Sequence, residues 1–155
     1  MVYEVIMAGG SGTRFWPKST KKLPKQLLSL FGDKTMIQNT AERIKTLIPQ
    51  ERIMVVTNDN YVDLVKDQLP SVPNDNIVGE AVAKNTAPCV AIAAEMLYKK
   101  DPEAVMVVLP ADHHIEDPDA FNEYLKSAIG KAKLGENLVT IGIRPDRPET
   151  GYGYI

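Results

Sequence analysis

Val2-Tyr3-Glu4-Val5-Ile6-Met7-Ala8-Gly9-Gly10-Ser11-Gly12-Thr13-Arg14 passes from a short apolar run straight into a glycine-rich turn. The run Val2 to Met7 predicts a first β-strand, and the three glycines predict a loop whose backbone can approach a ligand closely and turn several N–H groups inward as an anion nest. In an open parallel sheet such a loop lies at the carboxyl end of its strand, where ligands bind.

The chain beyond it repeats the strand-then-helix order. Further β-branched runs lie at Ile53 to Thr57, Ile77 to Gly79, Ala104 to Leu109 and Leu138 to Ile143. Between them, Thr35-Met36-Ile37-Gln38 has the form of a capping box, with Ile37, Ala41, Ile44 and Ile48 following at helical spacing up to Pro49. A second helix is expected from Tyr61 to Leu69, burying Leu64, Val65 and Leu69. A third begins near Thr86 and presents Val90, Ala94 and Leu97. A fourth opens on Asp117 as N-cap with Pro118 behind it, and presents Phe121, Leu125 and Ile129. This alternation predicts a Rossmann-like α/β fold, an open and mostly parallel sheet with helices on both faces. Ala104 to Leu109, apolar throughout, is expected to be a central strand buried on both sides.

With 155 residues, 44% of them apolar, the chain can bury one core, so residues 1–155 are read as one domain or part of one. After Arg144-Pro145-Asp146-Arg147-Pro148-Glu149, the segment Gly151-Tyr152-Gly153-Tyr154-Ile155 reads as the start of another strand with nothing to close it. The expectation is a fragment of a longer catalytic domain. No apolar run approaches the roughly 18 residues needed to cross a bilayer, and the N-terminus lacks the order of a secretion signal, so a cytoplasmic protein without membrane contact is expected. The single thiol, Cys89, fits a reducing compartment.

A formal charge of −2 gives no global attraction to nucleic acid, and none is expected as a partner. The charges are nevertheless unevenly placed. No carboxylate lies between Glu4 and Asp33, whereas Arg14, Lys18, Lys21, Lys22 and Lys25 fall in that window. Phosphate is the natural guest of a glycine nest beside these cations, although a solvated basic face is the plain alternative. Two common phosphate loops fail on spacing. A Walker loop needs Lys-Ser or Lys-Thr after its last glycine, where Thr13-Arg14 stands, and a dinucleotide fingerprint begun at Gly10 needs glycine where Phe15 stands.

The glycine-rich segment, with Arg14-Phe15-Trp16-Pro17-Lys18-Ser19 attached and Leu23-Pro24-Lys25-Gln26 following, resembles the signature of the nucleoside-diphosphate-sugar pyrophosphorylases. Asn85-Thr86-Ala87-Pro88, Pro110-Ala111-Asp112-His113 and Pro148-Glu149-Thr150-Gly151-Tyr152-Gly153-Tyr154 are similar to the mannose-1-phosphate guanylyltransferase branch of that family. The resemblance implies transfer of GMP from GTP to mannose 1-phosphate, giving GDP-mannose and pyrophosphate, with Mg²⁺ as cofactor. It also implies roles for individual residues. Arg14 and Lys25 would be catalytic, the first neutralising pyrophosphate and the second holding the α-phosphate and the sugar phosphate. Ala8, Gly9, Gly10, Ser11, Gly12 and Thr13 would bind the nucleotide's phosphates, Gly151 would meet the sugar, and Lys84 would lie near the nucleotide. A UTP or dTTP enzyme acting on glucose 1-phosphate shares the loop, and a nucleotide-binding fragment without turnover is a reading from another class, because the family's second metal-ligating Asp and its β-helical region lie beyond Ile155. A homodimer is compatible with the sequence but not specified by it.

Several residues carry two readings. Asp112, directly after an apolar strand, is placed to hold Mg²⁺ as one oxygen ligand, or to cap a turn after Pro110. Asn85, Thr86 and Ala87 sit at a helix start where amides can read a purine edge, with Glu80 accepting from guanine N–H groups; Thr86 as an ordinary N-cap is the alternative. Cys89 in that helix's first turn is either a thiol of lowered pKa or, as its surroundings favour, a small core residue. Trp16 reads as an anchor that stiffens the loop. His113-His114-x-Glu116 lacks a third spaced ligand for zinc.

Overall fold

The computed structural model describes residues 1–10, 15–82, 85–135, 137–151 and 153–154. Four strands, β1 (Val2–Ala8), β2 (Ile53–Asn58), β3 (Ile77–Glu80) and β4 (Val105–Pro110), alternate with four helices, α1 (Met36–Arg43), α2 (Val62–Gln68), α3 (Thr86–Lys100) and α4 (Pro118–Ala132). The strands form one sheet in the order β3-β2-β1-β4, and every pairing is parallel. Each crossover between neighbouring strands therefore carries a helix, as parallel pairing requires.

Side-chain alternation divides the helices between the faces. Ile6 and Ala8 of β1, with Ile53 and Val55 of β2, point to the face covered by α1 and α2. Val107 and Leu109 of β4 pack against Leu125 of α4 and against Ile44 and Ile48. Val5, Met54 and Val56 point the other way, onto Cys89, Ala93 and Leu97 of α3. The expected doubly covered parallel sheet is what forms.

The helix starts follow their side-chain chemistry. Thr35 and Gln38 make both halves of the capping box, and the Asp117 carboxylate accepts the Ala120 N–H at 2.9 Å. The α1 helix nevertheless ends at Arg43, and the chain continues in tight turns in which the Leu47 and Ile48 N–H groups both donate to the Ile44 carbonyl. Ile44 and Ile48 keep the burial their spacing predicted without the helix continuing.

Three expectations are corrected. In α3 the buried stripe is Cys89, Ala93 and Leu97, while Ala94 is exposed and Val90 only partly covered. Small side chains on this stripe let the helix close onto the sheet, and in an alanine-rich helix apolarity alone does not say which row turns inward. The strands buried on both faces are β1 and β2; among the described residues β4 pairs only with β1, and it buries Val107 and Leu109 of its six residues. An apolar run reports that both faces tolerate burial, whereas strand order decides which are covered. Residues 138–143 form no strand, and Leu138 and Ile143 stand exposed. β-propensity becomes a strand only where the backbone N–H and C=O groups find a ladder partner.

Glu4 is an exception inside this frame. It lies on central β1, completely buried, and neither carboxylate oxygen has a hydrogen-bond partner among the described residues. Burial pushes its pKa well above the usual carboxylate range, and the Arg43 charge opposes that rise.

Candidate active site

Parallel register brings the carboxyl ends of the strands to one edge. Ala8 pairs with Thr57, Met7 with Pro110, and Asn58 with Glu80. The start of the glycine-rich segment, Glu80 and Asp112 accordingly emerge side by side, as an open α/β sheet places its ligand groups.

Ala8 is buried, and its carbonyl accepts from the Thr57 hydroxyl at 3.0 Å and from the Gln26 amide at 2.6 Å. The same Gln26 amide nitrogen donates to the Gly10 carbonyl at 2.9 Å. Gln26 belongs to a single 3₁₀ turn, Lys25–Leu27, whose first residue reaches the other side of the site. There the Lys25 ammonium lies 3.3 Å from Asp112 Oδ2 and 3.4 Å from the Asp112 carbonyl, with the Phe15 ring beneath it at 4.5 Å. Lys25 keeps 20% of its side chain exposed and Asp112 49%, so both remain open to a ligand.

The turn after β4 is held from outside. Arg43 donates to the His113 carbonyl at 3.0 Å, and its guanidinium lies over Phe121 at 5.6 Å. Asn122 of α4 donates to the Arg43 carbonyl at 2.9 Å, and His114 stacks on Phe31 with ring centroids 4.0 Å apart. The segment before Lys25 is fixed in turn by Tyr61, whose hydroxyl donates to the Lys21 carbonyl at 2.9 Å. Lys18, Lys21 and Lys22 are exposed and make no ion pair among the described residues.

Glu80 is buried beside Gly9: a Cβ built on Gly9 would stand 3.4 Å from its carboxylate. Its negative charge reaches Cys89 in the first turn of α3. Burial first, and Glu80 second, push the Cys89 thiol up to about 11, so Cys89 is a protonated core residue and the lowered-pKa alternative fails. Asn85, not Thr86, is the N-cap residue of α3, which closes the plain N-cap reading of Thr86. Asn85 makes no side-chain cap bond and holds φ 67°, ψ −163°, a region that costs a non-glycine residue about 1–3 kcal/mol and recurs at ligand sites. Thr86 and Ala87 follow as exposed first-turn residues.

Two expectations are not brought to this edge. The Gly151 N–H donates to the Glu149 carboxylate at 3.1 Å within a local loop closed by the Tyr154 hydroxyl, and no hydrogen bond or ion pair among the described residues joins it to Lys25 or Asp112. Trp16 is 77% exposed and anchors nothing by burial. Ser11, Gly12, Thr13, Arg14 and Lys84 lie outside the described residues. Gln26, quoted only as part of the signature and given no role, and Thr57 and Arg43, which were not read as site residues, act through side-chain bonds to distant carbonyls; a polar residue on an otherwise apolar strand, as Thr57 is on β2, was a further local sign.

The carboxyl edge of this parallel α/β sheet thus carries the start of a glycine-rich segment, a partly exposed lysine and a carboxylate. The family described as Nucleotidyl transferase matches residues 3–155, and the chain belongs to it. It is 45% identical over 158 residues to the mannose-1-phosphate guanylyltransferase of Escherichia coli strain K12, covering 99% of this chain and 33% of that protein. To the alginate biosynthesis protein AlgA of Pseudomonas aeruginosa it is 43% identical, covering 97% of this chain and 31% of the other. Among solved structures, a Thermus thermophilus protein described as mannose-1-phosphate geranyltransferase superposes with a TM-score of 0.75 at 32% identity, over 85% of this chain and 38% of that one. The chain thus spans about a third of the length of the curated relatives it matches.

Proposed function

We propose that the protein to which this chain belongs is a mannose-1-phosphate guanylyltransferase, and that residues 1–155 are its nucleotide-binding part. The observation that carries this reading is the meeting of Lys25 with Asp112 at the sheet edge beside the glycine-rich segment. The 45% identity to a protein of that name supports the choice of substrates, GTP and mannose 1-phosphate.

The chemistry asks for charge and position rather than a covalent nucleophile. An oxygen of mannose 1-phosphate attacks the α-phosphorus of GTP in line; the new O–P bond forms as the bond to the β-phosphate oxygen breaks, and pyrophosphate leaves with the electron pair. Lys25, as a compact point charge, holds the α-phosphate and the incoming sugar phosphate, and Arg14 takes the departing pyrophosphate through its forked guanidinium. The segment 8–13 lines the phosphates, Glu80, Asn85, Thr86 and Ala87 read the base with Lys84 nearby, and Gly151 meets the sugar. The donor that follows β4 is a hard carboxylate oxygen, half exposed and facing the phosphate-binding lysine, which fits Mg²⁺ held by one protein ligand together with waters and phosphates. Bound there, Mg²⁺ would neutralise phosphate charge as it develops. A cytoplasmic location accords with GTP as substrate; among the described residues no helix is long and apolar enough to cross a membrane.

The test is formation of GDP-mannose and pyrophosphate by the intact protein given GTP, mannose 1-phosphate and Mg²⁺. Product with this pair and not with UTP and glucose 1-phosphate is expected; reaction with the second pair alone overturns the substrate assignment. Because the chain spans a third of its relatives, residues 1–155 alone are expected to bind GTP without turnover.

A further inference from the structure

We propose that Gln26 is a positioning residue for phosphate binding, acting by fixing the carbonyl groups of the glycine-rich segment rather than by touching the ligand. The inference rests on the reading of that segment as the phosphate loop. It starts from one buried amide nitrogen that serves two carbonyls of the loop, Ala8 at 2.6 Å and Gly10 at 2.9 Å. An amide NH₂ has two hydrogens, one for each acceptor. Because the side chain is buried, no water stands ready to take over either bond.

A glycine-rich loop can present an anion with either of two backbone poles. N–H groups attract phosphate and carbonyl oxygens repel it, and glycine opposes a flip between them less than any other residue. A trans peptide carries its C=O and N–H on opposite sides. The Ala8 carbonyl, held by Gln26 and by Thr57, therefore commits the N–H of the Ala8–Gly9 peptide to the other side. The Gly10 carbonyl is held inward by the same amide. The polarity of residues 8–10 is thus set by a side chain whose neighbour in the same 3₁₀ turn, Lys25, is a cation of the site.

The experiment measures binding of GTP with Mg²⁺, and of inorganic pyrophosphate alone, to the intact protein by isothermal titration, with thermal melts alongside. Gln26→Met keeps the bulk and removes both donors, Gln26→Glu places a carboxylate against two carbonyl oxygens, and Thr57→Val removes only the second donor to Ala8. The expected result is a loss of affinity for both ligands, roughly ten-fold for Gln26→Met, the scale of one buried acceptor left without its partner, more for Gln26→Glu and a few-fold for Thr57→Val. Pyrophosphate excludes a loss through ribose or base, and an amide whose two hydrogens are given to Ala8 and Gly10 has none left for a phosphate oxygen. Unchanged pyrophosphate affinity in Gln26→Met, whether or not GTP binding falls, overturns the proposal. Should both Gln26 variants fail to fold, Thr57→Val decides, and pyrophosphate affinity equal to wild type overturns it. Failure of the wild type to bind GTP would instead count against the proposed function.

Discussion

Two stretches that carry residues proposed to meet the substrates, residues 8–10 and the described residues around Gly151, 149–151 with 153–154, are held in opposite ways. Ala8 and Gly10 are bonded to side chains from β2 and from residue 26, and Gly9 between them lies against buried Glu80, so their geometry is that of the sheet. The second segment bonds to itself: Glu149 takes the Gly151 N–H, and the Tyr154 hydroxyl joins both the Glu149 N–H and its carbonyl. The first is set by the scaffold before a ligand arrives, whereas the Gly151 amide is engaged by a neighbouring carboxylate that a ligand must displace. The contrast separates preorganised binding from binding that includes a local rearrangement.

If the first segment and its lysine form one preorganised unit, Lys25→Met should reduce turnover of the intact protein roughly two to three orders of magnitude, the scale of one lost transition-state donor, with little change in melting temperature. Pyrophosphate release reads this. A decrease limited to substrate affinity would show that Lys25 binds without stabilising the transition state.

Gly79→Ala attacks the scaffold under the same segment. Its Cβ would run into the Asp59 carboxylate and stand 3.1 Å from the Asp59 Cα, so backbone as well as side chain must give. A destabilisation of about 1–3 kcal/mol in urea unfolding is expected, with weakened GTP binding and an unchanged 145–154 loop by NMR.

Glu4 tests the scaffold by pH. Because its folded pKa is raised, the unfolded chain releases the proton first. The favourable contribution is complete below the unfolded value and is lost as pH rises toward the folded one. Stability should therefore decline as pH climbs from about 4.5. Glu4→Met should remove that slope while adding about 1–3 kcal/mol at neutral pH. A Glu4→Met protein with the parent's slope would place its origin elsewhere.

The smallest effect is expected from Glu149→Gln, which weakens the hold on the Gly151 amide. Stability should change by less than about 0.5 kcal/mol, and the Gly151 amide proton should exchange faster while that of Gly9 does not. Equal changes at both would erase the contrast.

The elements that depend on neighbours in sequence were legible before the structure. Four of the five expected strands, the capping box at Thr35 and Gln38 and the Asp117 cap follow from spacing alone. Strand order brought Lys25 to Asp112, and the order of a parallel sheet is not written in its strands' composition. In α3 Leu97 and Cys89 are buried as read, but Ala94 was taken for inward where Ala93 is, because alanines surround that row. Gln26 was quoted in the signature, but its role was not legible because its acceptors lie 16 and 18 residues away, and the backbone of Asn85 was not because only its residue type, tolerant of positive φ, hints at it.

The ion pair between Lys25 and Asp112 has a thermodynamic consequence. On the proposed function each group is the other's counter-ion until a ligand takes its place: a divalent cation held by Asp112 would release the ammonium, and a phosphate held by Lys25 would release the carboxylate. Occupancy at either position raises affinity at the other, by the same factor in both directions. A nucleotide that arrives already carrying its metal satisfies both groups in one step, and either component alone must first separate them.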